Sequence, residues 1–175
     1  GDLEIKWSEK NHISIYPLTW LRNHCYTIKN NKKFKSQHMF WDSKIQDKLH
    51  NFRINYDEVI SSDEGILKWL KKLNYYGLVI LYNCPTEKKS AFKILNKISH
   101  IRETFFGSPF EVINIPKPNN TAYTSDSLRN HTDLPYYEYA PGYQFLHCLI
   151  NDATGGMSTT VDGFAVANYL KKTDP

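Results

Sequence analysis

The sequence predicts an α+β fold, in which helices in the first half are followed by short strands in the second. Two segments, 61–77 and 85–101, place apolar residues at helical spacing. Three later segments, 111–115, 143–150 and 158–161, are short runs of strand-forming residues bounded by proline or glycine. Helices that precede a group of strands are typical of α+β domains. With 175 residues, 41% of them hydrophobic, the chain is long enough to bury a core.

The N-terminal end predicts a β-hairpin. Residues 3–7 and 12–16 alternate between apolar and polar side chains, and the polar turn 8–11 separates them. Residues 26–50 are rich in Lys, Asn and Gln and show little periodicity, so we expect a linker there. Within that linker, the apolar residues 39–41 are expected to dock against another part of the protein.

Local signals set the ends of the predicted helices. Ser61 begins a Ser-x-x-Glu capping box, which predicts the start of the first helix, and Gly77 suits its end. The apolar run 78–82 then predicts a buried strand. Near the C-terminus, Asp162 is placed to cap a last helix over residues 163–171.

Charge and cysteine usage exclude several classes of protein. The net charge of +4, from 22 basic and 18 acidic residues, is too even to indicate nucleic-acid binding, so the basic run 29–35 is interpreted as a solvated loop. No stretch resembles a signal peptide or a membrane span of about 20 apolar residues. The three cysteines, Cys25, Cys84 and Cys148, are dispersed and odd in number, which argues against a disulfide scaffold. Reduced thiols and a cytoplasmic location are therefore expected.

His131 and Asp133 form the most informative pair in the chain. Residues i and i+2 of an extended backbone point to the same side, so the imidazole and the carboxylate can face one metal ion. Such a pair supplies two members of the 2-His-1-carboxylate triad that binds non-haem Fe(II). Taken alone, the local sequence favours a different interpretation, in which His131 is a polar loop residue and Asp133 is an N-cap or turn residue before Pro135.

Several motifs around this pair carry a family resemblance. They are His131-Thr132-Asp133-Leu134-Pro135, Pro141-Gly142, Gln144, Leu146-His147-Cys148-Leu149, Gly155-Gly156 and Val161-Asp162-Gly163-Phe164. Together they resemble the gamma-butyrobetaine dioxygenase and trimethyllysine dioxygenase family, within the taurine-dioxygenase-like Fe(II)/2-oxoglutarate oxygenases. The resemblance extends over nearly the whole chain and is densest between residues 105 and 164.

The resemblance implies a partial double-stranded β-helix, or jelly roll, with flanking helices. It implies that residues 1–25 are the remnant of a small β-rich N-terminal domain, 26–50 a linker, and 51–175 the N-terminal half of the catalytic domain. It further implies truncation at both ends, with the second metal histidine and the 2-oxoglutarate-binding arginine beyond Pro175. The chain alone is then expected to be inactive. Full-length members are expected to hold a structural zinc, but its Cys cluster is absent from this sequence.

The resemblance also implies roles for eight residues. The expected iron ligands are His131 and Asp133, and the expected 2-oxoglutarate contacts are Asn120 and Leu146. Four positions align with an aromatic cage for a trimethylammonium group, namely Phe106, Phe110, Tyr123 and Leu134. Packing in the core is an alternative for Phe106, Phe110 and Leu146.

The implied activity is hydroxylation of a small trimethylammonium carboxylate, with gamma-butyrobetaine converted to carnitine as the first expectation. Fe(II) is the expected cofactor, 2-oxoglutarate and O2 are cosubstrates, ascorbate is an accessory reductant, and a homodimer is the expected assembly. Two alternatives stay open. One is a related oxygenase that acts on a different small acid, and the other is a catalytically incomplete fragment that serves as a binding or dimerising module. His147 is interpreted as a core histidine, and residues 136–143 as either an aromatic lid or an ordinary surface.

Overall fold

The computed structural model describes residues 1–9, 11–26 and 38–174. The chain divides into two compact units, Gly1–Gln37 and His38–Pro175. The basic run 29–35 lies outside the described residues. Within the described ranges, no helix combines the length and the apolar character needed to cross a bilayer.

The first unit is a β-hairpin followed by a short helix. Strand β1, Asp2–Lys6, pairs antiparallel with β2, Ile13–Pro17, and the register places the first residue of β1 opposite the last residue of β2. Helix α1, Leu18–Asn23, follows directly. The indole nitrogen of Trp7 donates a hydrogen bond to the Ser14 hydroxyl at 2.9 Å, which ties the two strands together near the turn. The predicted hairpin is confirmed, with both strands displaced by one residue.

The second unit begins with a parallel strand pair joined by two helices. Strand β3, Arg53–Asn55, leads into α2, Tyr56–Ser61, and then into α3, Asp63–Tyr76. Strand β4, Ile80–Tyr82, returns beside β3 in parallel, residue for residue. Helix α4, Ser90–Leu95, follows β4 and is shorter than the periodicity predicted. The order helix, glycine, strand and helix is therefore present as expected. Strand β4 is shorter than the predicted run 78–82, and the prediction that it is buried is wrong, because Ile80 and Tyr82 are exposed.

The start of α3 differs by one residue from the prediction. Ser62, not Ser61, caps the helix, and its hydroxyl accepts the Gly65 backbone N–H at 3.0 Å. Ser61 instead ends α2 and donates its hydroxyl to the Glu58 carbonyl at 3.3 Å. The end of α3 is as predicted, because Gly77 adopts a left-handed conformation with φ of 72° that favours glycine.

The core lies where α2, α3, α4 and β3 meet. Its buried side chains are Ile54, Tyr56, Val59, Trp69 and Ile94. The indole of Trp69 is the largest of them and is 1% exposed. Ile66, one of the apolar residues at helical spacing in 61–77, packs against this cluster and is half-buried. Burial also raises the pKa of the Tyr56 phenol above its ordinary value.

The segment before β3 docks against the end of α3. The Trp41 indole nitrogen donates to the Tyr76 carbonyl at 2.9 Å, and the Met39 backbone N–H donates to the Tyr75 carbonyl at 2.8 Å. A stretch of 3₁₀ turns, Ser43–Phe52, then leads into β3. The apolar residues of the predicted linker thus serve as an anchor for the second unit.

The described C-terminal part contains one α-helix, a short 3₁₀ turn and long segments outside helices and strands. Helix α5, Gly163–Thr173, is capped by Asp162 as predicted. The predicted strands 111–115, 143–150 and 158–161 form no β-ladder within the part of the chain that the structure describes. A strand requires a hydrogen-bonded neighbour, and a local sequence pattern does not supply one. The mixed helix and strand content is confirmed, but the described residues contain no jelly-roll sheet.

Candidate metal and substrate site

His131 and Asp133 lie side by side, as the i, i+2 spacing predicts. The His131 Nε2 atom is 3.3 Å from Asp133 Oδ1, and the two side chains are 54% and 43% exposed. Imidazole nitrogen and carboxylate oxygen bind divalent first-row ions at about 2.0–2.2 Å, so two such ligands at a right angle lie about 3 Å apart. The observed separation therefore fits two neighbouring ligands of one metal ion.

The remaining polar atoms of both side chains are occupied. His131 Nδ1 lies 2.6 Å from the Arg129 carbonyl oxygen, which can only accept a hydrogen bond. The proton of a neutral imidazole therefore resides on Nδ1, and the lone pair of Nε2 is left for a metal. Asp133 Oδ2 accepts a hydrogen bond from Gln144 Nε2, which leaves Oδ1 directed towards His131. Metal-binding side chains are typically oriented by such outer contacts.

The donor set fits part of an Fe(II) site. One imidazole and one carboxylate suit iron, and the triad requires one further histidine. Among the described residues, no group of three His, Cys, Asp or Glu side chains is arranged to hold a metal ion. His147 is engaged elsewhere, because its Nε2 lies 2.8 Å from the Pro85 carbonyl oxygen. It is half-buried and hydrogen-bonded, in agreement with its interpretation as a structural histidine.

A row of aromatic rings includes two of the predicted cage residues. The ring centroids of Phe106 and Phe110 are 5.3 Å apart, and those of Phe105 and Phe106 are 4.0 Å apart. The row continues through Tyr137, whose ring centroid lies 6.2 Å from that of Phe105. The Phe106 and Phe110 side chains are 36% and 42% exposed, so both rings have accessible surface. Core packing alone does not account for them.

One cationic side chain of the protein, Arg102, contacts the aromatic row. The Arg102 guanidinium carbon lies 5.1 Å from the centroid of the Tyr137 ring, within the range of cation–π attraction. The same guanidinium donates a hydrogen bond to the Tyr139 carbonyl. This pair of contacts fixes the loop that follows the His131–Asp133 motif against the row. Tyr136 and Tyr139 remain largely exposed.

Leu134 links the predicted metal pair to the aromatic row, whereas Tyr123 does not. Leu134 has a positive φ of 53°, and its carbonyl accepts the Tyr137 backbone N–H at 3.2 Å in the turn after Asp133. Tyr123 ends a short 3₁₀ turn, and its carbonyl accepts the Ile115 N–H at 3.1 Å. No ring contact joins Tyr123 to the aromatic row within the described ranges, so the four cage positions are only partly assembled.

The two predicted 2-oxoglutarate contacts, Asn120 and Leu146, form no hydrogen bond with His131 or Asp133 in the described part of the chain. The Asn120 side chain accepts the Ala122 backbone N–H at 2.9 Å and so caps the 3₁₀ turn. Leu146 is 78% exposed. The exposure of Leu146 argues against its alternative interpretation as a core residue.

Sequence reasoning missed the groups that orient the predicted ligands. Gln144 lies within a recognised motif, but its contact with Asp133 was not anticipated, and neither was the Arg129 carbonyl contact. One signal was present in the alternation along residues 143–147. In an extended backbone, Gln144 and Leu146 share the face opposite Tyr143, which places a polar side chain beside a predicted pocket residue.

Comparison with known proteins identifies what the chain is similar to. The family described as "Taurine catabolism dioxygenase TauD, TfdA family" matches residues 23–175. A gamma-butyrobetaine dioxygenase from Pseudomonas sp. (strain AK-1) is 37% identical over 174 residues, which are 98% of this chain and 44% of that protein. The human gamma-butyrobetaine dioxygenase is 32% identical over 176 residues, again 98% of this chain and 44% of the relative.

A second activity appears among the relatives. The mitochondrial trimethyllysine dioxygenase of Mus musculus is 30% identical over 164 residues, which are 94% of this chain and 39% of the mouse protein. The chain therefore spans less than half the length of these curated relatives. All three relatives are named as dioxygenases, two for gamma-butyrobetaine and one for trimethyllysine.

Proposed function

This chain belongs to the TauD, TfdA family of dioxygenases, and from that premise we propose that it contributes to an Fe(II)- and 2-oxoglutarate-dependent hydroxylase. Its substrate is a small trimethylammonium carboxylate, with gamma-butyrobetaine as the first choice and carnitine as the product. The observation that carries the proposal is the convergence of His131 Nε2 and Asp133 Oδ1 at 3.3 Å with their other polar atoms occupied.

The two side chains would hold iron as neighbouring ligands. His131 offers a neutral nitrogen, and Asp133 offers one charged oxygen, so together they leave most coordination positions open. Bound iron would activate O2, the oxidant, with 2-oxoglutarate as the two-electron reductant, and so support hydroxylation of an unactivated carbon. A third protein ligand and a basic residue for the distal carboxylate of 2-oxoglutarate are required in addition. Asn120 and Leu146 are proposed as 2-oxoglutarate contacts from the resemblance, with ascorbate as an accessory reductant.

The aromatic row supports a cationic substrate. A trimethylammonium group carries a diffuse positive charge and no hydrogen-bond donor, so ring faces within about 6 Å bind it best. Because the Phe106 and Phe110 centroids are 5.3 Å apart, one cation can lie within that distance of both rings. The cation–π contact of Arg102 with Tyr137 at one end of the row supports this choice. A sulfonate or a plain acid would instead require a cationic side chain beside Phe106 and Phe110, whereas the Arg102 guanidinium lies over Tyr137.

Trimethyllysine is the principal competing substrate. It carries the same trimethylammonium group as gamma-butyrobetaine, but it adds an α-amino group. The aromatic row does not separate the two, since it recognises only the group they share. Tyr123 and Leu134 complete the proposed set of substrate-binding residues.

The test is succinate formation by the complete product of the gene that encodes this chain. The protein is loaded with Fe(II) and 2-oxoglutarate under anaerobic conditions. Gamma-butyrobetaine, trimethyllysine or taurine is then added in parallel samples, and O2 starts the reaction. The proposal expects turnover with gamma-butyrobetaine above the other two and its loss in His131→Ala. Turnover with taurine alone would refute the substrate class. Absence of turnover and of metal binding would favour the alternative, a binding or dimerising module.

The compartment and assembly are also proposals. Dispersed cysteines support a reducing, cytoplasmic location. A homodimer is supported by the family resemblance, and light scattering coupled to gel filtration measures it directly. A monomer at micromolar concentration would refute the dimer and leave the hydroxylase proposal intact.

A further inference from the structure

Both carboxylate oxygens of Asp133 have separate partners. Oδ1 lies 3.3 Å from His131 Nε2, while Oδ2 accepts a hydrogen bond from Gln144 Nε2. Gln144 lies 11 residues further along the chain, beyond the turn that begins at Leu134. The contact therefore joins two separate segments of the chain at the predicted ligand.

A neutral amide is well suited to this position. An amide N–H satisfies one carboxylate oxygen without neutralising the negative charge that attracts a cation. A Lys or Arg at the same place would form an ion pair and compete with the metal for Asp133. With Oδ2 occupied, the carboxylate offers a single oxygen to a metal, whereas a free carboxylate can bind through both oxygens. One-oxygen binding keeps an additional coordination position open.

We infer that Gln144 is a positioning residue that fixes the Asp133 carboxylate for metal binding through Oδ1 alone. This inference rests on the proposed function, because it requires His131 and Asp133 to be ligands. The arrangement at His131 is parallel, since the Arg129 carbonyl holds Nδ1 and leaves Nε2 for the metal. Each ligand is thus oriented from outside by one polar group, and both free donor atoms converge.

A purely structural role makes different predictions from a positioning role. If the Gln144–Asp133 bond only joined two segments, its loss would lower thermal stability and leave the coordination of a bound metal unchanged. If it orients the carboxylate, its loss weakens metal binding and changes the ligand field, because Asp133 is then free to rotate. Outer contacts of this kind alter metal affinity by about 10- to 100-fold.

The experiment titrates Co(II) into the apo form of the complete gene product and records the d–d absorption bands. Gln144→Leu removes the donor at similar volume and is expected to raise the Kd for Co(II) about 10-fold or more, with shifted bands. Gln46→Leu, the same change at an exposed glutamine of the 3₁₀ segment Ser43–Phe52, is the matched control and should match the unmodified protein. Melting curves of both apo variants check that they fold.

The outcomes separate the two proposals. Unchanged Kd and bands in folded Gln144→Leu, with Co(II) binding lost in His131→Ala, would overturn the role of Gln144 and retain the metal site. No Co(II) binding by the unmodified protein would overturn both. If Gln144→Leu does not fold, Gln144→Asn replaces it, because its amide is one methylene too short to reach Asp133. A folded Gln144→Asn with unmodified affinity and bands would also overturn the inference.

Discussion

Replacement of Asp162 by Ala should destabilise the second unit more than the loss of an ordinary helix cap. The Asp162 residue is 6% exposed and serves three groups at once. Oδ1 accepts the Ala165 backbone N–H at 3.0 Å, and Oδ2 accepts the Trp41 backbone N–H at 3.1 Å. Oδ2 also lies 3.4 Å from His38 Nε2, a buried atom for which the described residues provide no hydrogen-bond partner. One carboxylate thus joins α5 to the segment that docks on α3.

The expected magnitude follows from these contacts. Loss of an N-cap costs about 0.5–2 kcal/mol, and a buried N–H left without an acceptor costs about 1–3 kcal/mol. Together they predict a loss of about 1.5–5 kcal/mol in the free energy of unfolding for Asp162→Ala. For a chain of this length, that loss corresponds to a decrease in Tm of roughly 3–20 °C. Urea unfolding followed by circular dichroism measures the free energy.

Asp42→Ala is the matched control. Asp42 also caps a helical segment, accepting the Lys44 N–H at 2.9 Å, but it is exposed, and its side chain makes no bond to a distant segment among the residues that the structure describes. Its loss should cost about 0.5–1 kcal/mol. If Asp162→Ala destabilised the protein no more than Asp42→Ala does, the carboxylate would be an ordinary cap, and the reasoning from its shared contacts would be refuted.

Three further changes test packing, thiol chemistry and the substrate surface. A Cβ at Gly65 would lie 1.9 Å from a backbone oxygen of α2. Gly65→Ala should therefore lower the free energy of unfolding in urea by about 1–3 kcal/mol. In the control Gly163→Ala, the new Cβ meets no atom within 4 Å, so this change should be neutral or stabilising. Burial raises the pKa of the Cys84 thiol, so maleimide labelling in mildly alkaline buffer, mapped by mass spectrometry, should modify exposed Cys148 well before Cys84. Phe106→Leu should raise KM for the trimethylammonium substrate by about 2- to 30-fold and leave that of its neutral tert-butyl isostere unchanged.

Each of those three results can also fail informatively. Equal stabilities of the two glycine variants would contradict the close approach of α2 and α3. Faster labelling of Cys84 than of Cys148 would contradict the burial of the Cys84 thiol. Equal losses for the charged substrate and its neutral isostere would show that Phe106 contributes apolar contact without cation–π attraction.

Local signals in the sequence predicted most of the helical half. The hairpin, the left-handed end of α3 at Gly77 and the cap of α5 at Asp162 depend on neighbouring residues alone, so the sequence pattern sufficed. The cap of α3 was displaced from Ser61 to Ser62 because two adjacent serines precede the helix. The choice between them depends on how α2 ends, which no capping pattern encodes.

Contacts between distant segments were beyond sequence reasoning. The runs 111–115 and 143–150 have the composition of strands but no ladder partner among the described residues. The His131–Asp133 pair could be predicted because the two side chains are only two residues apart, a spacing that places them on one side wherever the backbone is extended. The Gln144 contact could not, since it depends on the path of the loop between residues 133 and 144. Trp69, the largest core side chain, was also overlooked in favour of its aliphatic neighbours.

The central claim, that His131 and Asp133 bind one metal ion, is tested most directly by crystallography with Mn(II). Crystals of the complete gene product would be grown anaerobically with Mn(II), and anomalous density would locate the ion. We expect a single strong peak within about 2.2 Å of both His131 Nε2 and Asp133 Oδ1, with Gln144 still bonded to Oδ2. A fully occupied Mn(II) ion elsewhere, with these two side chains unliganded, would contradict the account.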